Sequence, residues 1–378
     1  MYGAFWPFAF MAAVALAPSF RLVAVCLSCR ILMFQMPRKE KGGRLSMSLK
    51  KKLLMFACAA LVACGVFTLS GCAQNSQQDA AQESTEQASM RIGTMQTEDS
   101  LPFWVAEQEG LYGANGVSSD VEIVTFQSAQ ELSTAFAAGE IDAAMTDVQQ
   151  AAALQLSGVD VQLPWVTMGA DASQGRFGIM TCPESGITSL ADLAGKGIGV
   201  GSNTVPEYVM DKLMESAGVP DDQIVSEEIK KMPVRYESMV NNQVAAAALP
   251  ASLLALGESQ GMVLLADDTQ GENISQSVLA VRTAWLEDGG EATLDLVRDA
   301  WNQAVDEINT DPEAYRALLV EKANLPELVA DTYAISTYPE AALPTKDMVQ
   351  PVLDWMLNKG YLVEALTYDE GNGTFAKA

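Results

Sequence analysis

The sequence predicts an α/β protein of two lobes, each a mainly parallel sheet flanked by helices. Two observations predict it. Short β-branched and aromatic runs alternate with helical segments of about ten residues, the pattern of right-handed βαβ units. That alternation runs twice, with a break near Gly175.

In the first run, residues 91–95 read as a strand, 102–110 as a helix, 121–126 as a strand and 129–138 as a helix. Residues 141–145 are strand-like, 147–156 helical, and 161–168 a strand again. In the second run, 177–182 is a strand, 189–193 a short helix, 197–200 a strand, 205–217 a helix and 224–229 a strand. Residues 235–241, 244–249, 251–256 and 262–265 continue the alternation. Residues 277–281 offer a strand that returns to the first lobe, and beyond Thr283 the chain reads as helical to its end.

The front of the chain reads as a sorting segment. Met47-Ser48-Leu49-Lys50-Lys51-Lys52 precedes an apolar run over 53–69 and then Leu69-Ser70-Gly71-Cys72. A basic start, a short apolar stretch and small residues before the cut make a signal peptide over 47–71. The ending resembles the lipobox of bacterial lipoproteins, which implies lipid on Cys72. A retained membrane helix is the competing reading, but the run barely reaches spanning length and is broken by Gly65 and Gly71. Residues 1–46 place a second apolar stretch ahead of a complete signal, as expected of a mis-called N-terminal extension before a true start at Met47. Residues 72–89, rich in Gln, Ser, Ala and acids, read as a disordered tether, with structure expected from Met90.

Composition excludes several kinds of chemistry. Of 23 basic and 48 acidic residues, 9 and 1 fall in residues 1–71, which leaves 14 against 47. So acidic a surface repels nucleic acid and anionic lipid. The chain has no histidine, which removes Ser-His-Asp and Cys-His catalysis and histidine metal ligation. Of six cysteines, Cys26, Cys29, Cys58, Cys64 and Cys72 precede the folded part. Cys26-x-x-Cys29 lies in the apolar leader, far from any βαβ unit, so it is a poor redox motif. Cys182 is left alone, without a partner for a disulfide or a metal cluster, and reads as a small buried hydrophobe.

Several phrases then come together in order. They are Ser100-Leu101-Pro102-Phe103-Trp104-Val105-Ala106 with Glu109-Gly110-Leu111-Tyr112, and Ala138-Gly139-Glu140-Ile141-Asp142-Ala143-Ala144. Ser189-Leu190-Ala191-Asp192-Leu193-Ala194-Gly195-Lys196-Gly197-Ile198-Gly199-Val200-Gly201 and Asn242-Gln243-Val244-Ala245-Ala246-Ala247-Ala248-Leu249-Pro250 follow. Over about 90–310 the chain thereby resembles type II periplasmic binding proteins of the sulfonate, nitrate, taurine and thiamine-pyrimidine group. Two departures fall in the second lobe, Gln243-Val244-Ala245-Ala246 in place of "G.vDa" and Ala251 where an acid is usual.

The resemblance implies a first lobe of 90–176 with 277–378, a second of 177–276, and crossover strands as the hinge. It implies a monomeric solute receptor of an ABC importer that captures a small organic solute or oxyanion between closing lobes, without cofactor or metal. Its partners would be the solute, the permease subunits and, through Cys72, the outer face of the cell membrane. Two other functions share the fold: a pyrimidine synthase, whose branch relies on histidines this chain lacks, and a sensor that signals to a membrane kinase.

Ligands of open α/β sheets lie beyond the carboxyl ends of strands, which selects the candidates. The loop 98–104 holds Ser100, Phe103 and Trp104, either aromatic available to stack on a solute or to pack the first helix. Ser100 also suits a helix cap. Asp147 fits an N-cap and Gln149 offers free donors beside it. Gly201 followed by Ser202, Asn203 and Thr204 opens a helix, where backbone N–H groups suit an anion or only an ordinary cap. Arg235 is a candidate anion partner, as is Arg176, with surface ion pairing the plainer role. Pro250 closes the second-lobe phrase. Gly199-x-Gly201 lacks the third small residue of a dinucleotide fingerprint. Asp221-Asp222 and Asp267-Asp268 read as solvated loops.

Overall fold

The computed structural model describes residues 87–271 and 274–377. The signal peptide, Cys72 and most of the tether lie outside the described residues. Among the described residues no helix is long and apolar enough to cross a membrane. Residues 87–89, expected to be tether, are held by the domain. The Gln87 side chain accepts from Ser118 N at 2.7 Å, Ala88 O from Thr293 Oγ1 at 2.9 Å, and Ser89 O from Trp285 Nε1 at 3.0 Å.

Two sheets organise the fold. The first contains β1 (Met90–Met95), β2 (Val121–Phe126), β3 (Ala143–Asp147), β4 (Val161–Met168), β10 (Ser277–Arg282), β11 (Leu366–Asp369) and β12 (Thr374–Lys377). Its order is β11-β12-β4-β10-β3-β1-β2. The second contains β5 (Phe177–Thr181), β6 (Gly197–Val200), β7 (Val225–Glu228), β8 (Ala246–Pro250) and β9 (Val263–Asp267), in the order β7-β6-β8-β5-β9. We call the halves built on these sheets the first and second lobes.

Both sheets are mixed. β1 runs parallel to β2 and β3, and β6 to β7 and β8. β10 is antiparallel to β3 and β4, and β5 to β8 and β9. The reason is topological: β5 and β10 follow directly on crossings between lobes, so each enters its sheet from the opposite end to the βα strands.

The longer helices are α1 (Leu101–Gln108), α2 (Ala129–Ala138), α3 (Val148–Leu156), α4 (Val205–Ser216), α5 (Met232–Val240), α6 (Ala251–Ser259), α7 (Glu291–Thr310), α8 (Arg316–Lys322) and α9 (Lys346–Lys359). In α7, Val297, Ala300, Trp301, Ala304, Val305 and Ile308 are buried at intervals of one helical turn, so one apolar stripe docks on the first lobe. The Trp301 ring stands 4.7 Å from that of Phe103 and 6.0 Å from that of Trp165, and its Nε1 donates to Pro339 O at 3.1 Å.

The expectation of helix to the end of the chain is corrected. After α9 the chain forms the hairpin β11–β12, which joins the first sheet through Thr374 opposite Gln162. Leu366-Thr367-Tyr368-Asp369 alternates buried and exposed, a strand's period of two, and Gly373 turns with φ of 67°.

The lobes are joined by the crossings 169–176 and 268–276. The backbone of Gly169 has φ of 83° and lies so close to Ser275 that an added Cβ would sit 2.2 Å from Ser275 O. Arg176, a candidate anion partner, is spent on ion pairs with Asp267 at 2.6 Å and Glu258 at 3.0 Å. Asp267 and Asp268, expected to be solvated, are corrected to structural roles, since Asp268 is buried and accepts from Phe177 N at 2.9 Å.

Helix α4 bridges the lobes away from these crossings. Met210 and Met214 pack in the second lobe, while Tyr208 packs with α9 in the first. Asp211 Oδ2 accepts from Trp355 Nε1 and from Lys359 Nζ, both at 2.8 Å. Tyr361 Oη lies 2.9 and 2.8 Å from the two carboxylate oxygens of buried Glu207. Tyr361→Phe should therefore loosen the join, lowering stability by about 1.5 kcal/mol as a hydrogen bond to a charged group is lost. A drop of about 3 °C in a thermal scan is the expected reading for a chain of this size.

Candidate functional site

A cavity of about 90 Å³ lies between the lobes. The first lobe contributes the end of β1 with the loop after it (Met95, Glu98, Asp99) and the ends of β3 and β4 (Asp147, Met168). The second contributes Phe177 at the start of β5, Thr204 and Val205 at the start of α4, Lys230, Arg235, and Pro250 at the end of β8. The parallel strands β1, β3 and β8 thus all point their carboxyl ends at one space, where loops and helix starts converge. Its walls are largely apolar, with Met95, Met145, Met168, Met232 and Phe177 among them.

The lobes touch around this space. Gln150 Nε2 donates to Asn203 O at 2.7 Å, Val205 N to Asp147 Oδ2 at 3.3 Å, and Lys230 Nζ to Gln130 Oε1 at 2.7 Å.

Of the residues singled out from sequence, Asp147, Thr204, Arg235 and Pro250 line the cavity. Asp147 caps α3 through Gln150 N at 2.8 Å while reaching across to α4. Arg235 is buried, with Nε donating to Ile229 O at 3.0 Å and Nη1 to Ala248 O at 2.8 Å. Desolvation lowers its pKa to about 10. Its plainer expected role, a surface ion pair, is corrected: it braces the second lobe from inside.

The others lie elsewhere. Phe103 and Trp104 are buried in the first-lobe core, so the packing alternative holds for both aromatics. Ser100 is buried and its Oγ donates to Met95 O at 3.2 Å, which pins the loop rather than capping α1. Gln149 is wholly buried and does not line the cavity. Ser202 opens on an outer groove shared with Thr204, and its N donates to Glu228 Oε2 at 2.9 Å. Asn203, at φ of 57°, turns its N toward Glu207 Oε2 at 2.6 Å.

Glu98 and Asp99 lie in the loop 98–104 that was expected at the cleft, but they were not singled out within it. They follow Thr97 in a polar turn between β1 and α1, Thr97-Glu98-Asp99-Ser100, and the aromatic pair behind them drew the reading away. Glu98 is only 7% exposed, yet Oε2 makes no hydrogen bond. Asp99 accepts from Ser277 Oγ at 2.7 Å through Oδ2, while Oδ1 is buried and unpartnered. Burial, then the neighbouring Asp99 charge, pushes the Glu98 carboxyl up to about 7. Burial likewise raises Asp99, and takes Asp147 up to about 6. Among the described residues no group of acids or cysteines is arranged to hold a metal ion.

Two mixed α/β lobes, joined by paired crossings and closed over a cavity at their strand ends, define the periplasmic binding protein fold. The alkanesulfonate-binding protein SsuA from Xanthomonas axonopodis pv. citri, solved bound to MOPS, superposes with a TM-score of 0.62 at 19% identity, over 73% of this chain and 95% of that one. The periplasmic aliphatic sulphonate binding protein SsuA from Escherichia coli gives 0.63 at 18% identity, over 77% and 92%. The periplasmic nitrate-binding protein NrtA from Synechocystis gives 0.61 at 14% identity, over 74% and 83%. The chain belongs to the NMT1/THI5 like family, whose model matches residues 97–315. No curated protein matches it in sequence.

Proposed function

We propose that this chain is the solute receptor of an ABC importer, lipid-anchored through Cys72 outside the cytoplasm, which holds a small solute between its lobes and hands it to the permease. One observation carries the reading: the cavity is walled by both lobes, so it forms only when they close. Closure about a hinge is the usual response of such folds to a ligand. Family membership and the likeness to sulfonate- and nitrate-binding proteins support it.

Binding without chemistry fits the residues present. The chain has no histidine, and Arg235 is fixed by backbone carbonyls. The cavity suits a solute of about six to nine non-hydrogen atoms, taking roughly 10–15 Å³ of such space for each water-sized group.

Native mass spectrometry of the full purified chain, beside a denatured control, tests the proposal. A single small mass lost on denaturation is expected. Absence of any such mass, together with no thermal shift from small amines, sulfonates, nitrate or pyrimidines, would sink it.

A further inference from the structure

We infer that the solute is a compact organic cation, an ammonium or amidinium group on a small apolar body, whose charge is received by Glu98 and Asp99; this rests on the solute-receptor reading above. Four observations lead there.

The anion seat at the start of α4 is already filled from within. Ser202 N donates to Glu228, Asn203 N to Glu207 and Val205 N to Asp147. An anionic solute there would have to displace three carboxylates from donors that ordinarily welcome negative charge.

Unmatched negative charge lies on the opposite wall. Glu98 Oε2 and Asp99 Oδ1 are buried and make no hydrogen bond; the groups beside the two carboxyls are the neutral hydroxyls of Tyr333 and Thr97, which bring no positive charge. Asp147, its oxygens both occupied, adds a third negative charge without offering a bond. Buried carboxylates left so are costly unless they take up a proton or meet a cation.

The positive groups at the cavity are held within the second lobe or by the lobe contact, although the Arg235 charge meets only neutral carbonyls. Lys230 reaches Gln130 at 2.7 Å and stands 3.9 Å from Glu228, and Arg235 donates twice to backbone carbonyls. Neither neutralises Glu98. Among the described residues no group of three or more acids or cysteines is arranged to hold a metal ion.

The remaining wall is methionine and aromatic, which suits an apolar body and adapts to its shape. Groups facing Glu98 are Asp99, Tyr333 and Tyr338 nearby, with Asp147, Lys230 and Arg235 also at the cavity. Since the Glu98 carboxyl titrates at about 7 when the cavity is empty, a cation must expel its proton. Affinity should rise by at least roughly tenfold between pH 5.5 and 7.5.

Calorimetry on the full chain with matched probes decides the matter: butylamine and benzamidine against butanesulfonate, benzenesulfonate and nitrate. The expected result is binding of an amine or amidine that tightens with pH and weakens tenfold or more in Glu98→Gln and Asp99→Asn, both folded by circular dichroism. Binding of a sulfonate or nitrate but no cation overturns the inference and leaves the receptor reading standing. Cation binding unchanged in both variants also overturns it. Silence from every probe counts against both.

Discussion

Glu98→Gln is expected to raise the melting temperature of the empty protein at pH 8 while weakening solute binding tenfold or more. The folded state holds the Glu98 proton up to about pH 7, against an ordinary value of 4.5. Such a carboxyl favours the folded state below pH 4.5, and that advantage is lost as pH rises toward 7. At pH 8 the wild-type chain therefore carries a penalty of up to about 3 kcal/mol, at roughly 1.4 kcal/mol per unit. Glutamine cannot ionise and has the shape of the protonated acid. A gain of about 6 °C at pH 8, shrinking to nothing near pH 4, is the expected thermal-scan result. Equal melting temperatures at pH 8 would show that Glu98 carries no such penalty. A functional group held at a cost to stability is what a binding site often shows.

Gly169→Ala should be the most damaging small change at the hinge. The residue has φ of 83°, and its added methyl carbon would sit 2.2 Å from Ser275 O and 3.0 Å from Ser275 C, both backbone atoms. A left-handed backbone costs an alanine roughly 1–2 kcal/mol, and pushing the two crossings apart adds about 1–3 kcal/mol. A loss of about 2–5 kcal/mol is expected. The same shift would alter the angle between lobes, so small-angle scattering should show a larger radius of gyration with solute present. Gly218→Ala is the control, since that glycine has φ of 75° with nothing within 4 Å. It should lose only about 1 kcal/mol and close normally. Equal losses in both variants would mean that strain alone, not the contact between crossings, sets the effect.

Much of the fold was legible because it is local. Val121–Phe126, Ala129–Ala138, Val161–Met168 and Gly197–Val200 have the bounds their patterns predict. Each has a period and clear ends, such as Ser128 accepting from Glu131 N before α2 and Gly139 at φ of 74° after it. The terminal hairpin was missed because its strands are defined by pairing with each other and with β4 rather than by a βα alternation around them.

The site was legible only in part. Asp147 and Arg235 follow strand ends and helix starts, where the α/β rule directs attention, and both reach the cavity. Phe103 and Trp104 have the chemistry of a stacking platform, but which face of α1 looks inward depends on α7 and the partner ring of Trp301. Asn203 and its neighbours have the chemistry of an anion seat, but whether that seat is free depends on Glu207, Glu228 and Asp147 arriving from three other places.

The sequence by itself determined the α/β alternation, the absence of histidine chemistry, the strongly acidic balance and the resemblance that family membership upholds. Those follow from composition and short-range periodicity, which need no knowledge of what lies opposite. Only the tertiary structure decided which carboxylates are neutralised and which are left bare. Charge compensation is a property of distance, and Asp147 meets Val205 across 58 positions of chain while Glu98 Oε2 makes no hydrogen bond.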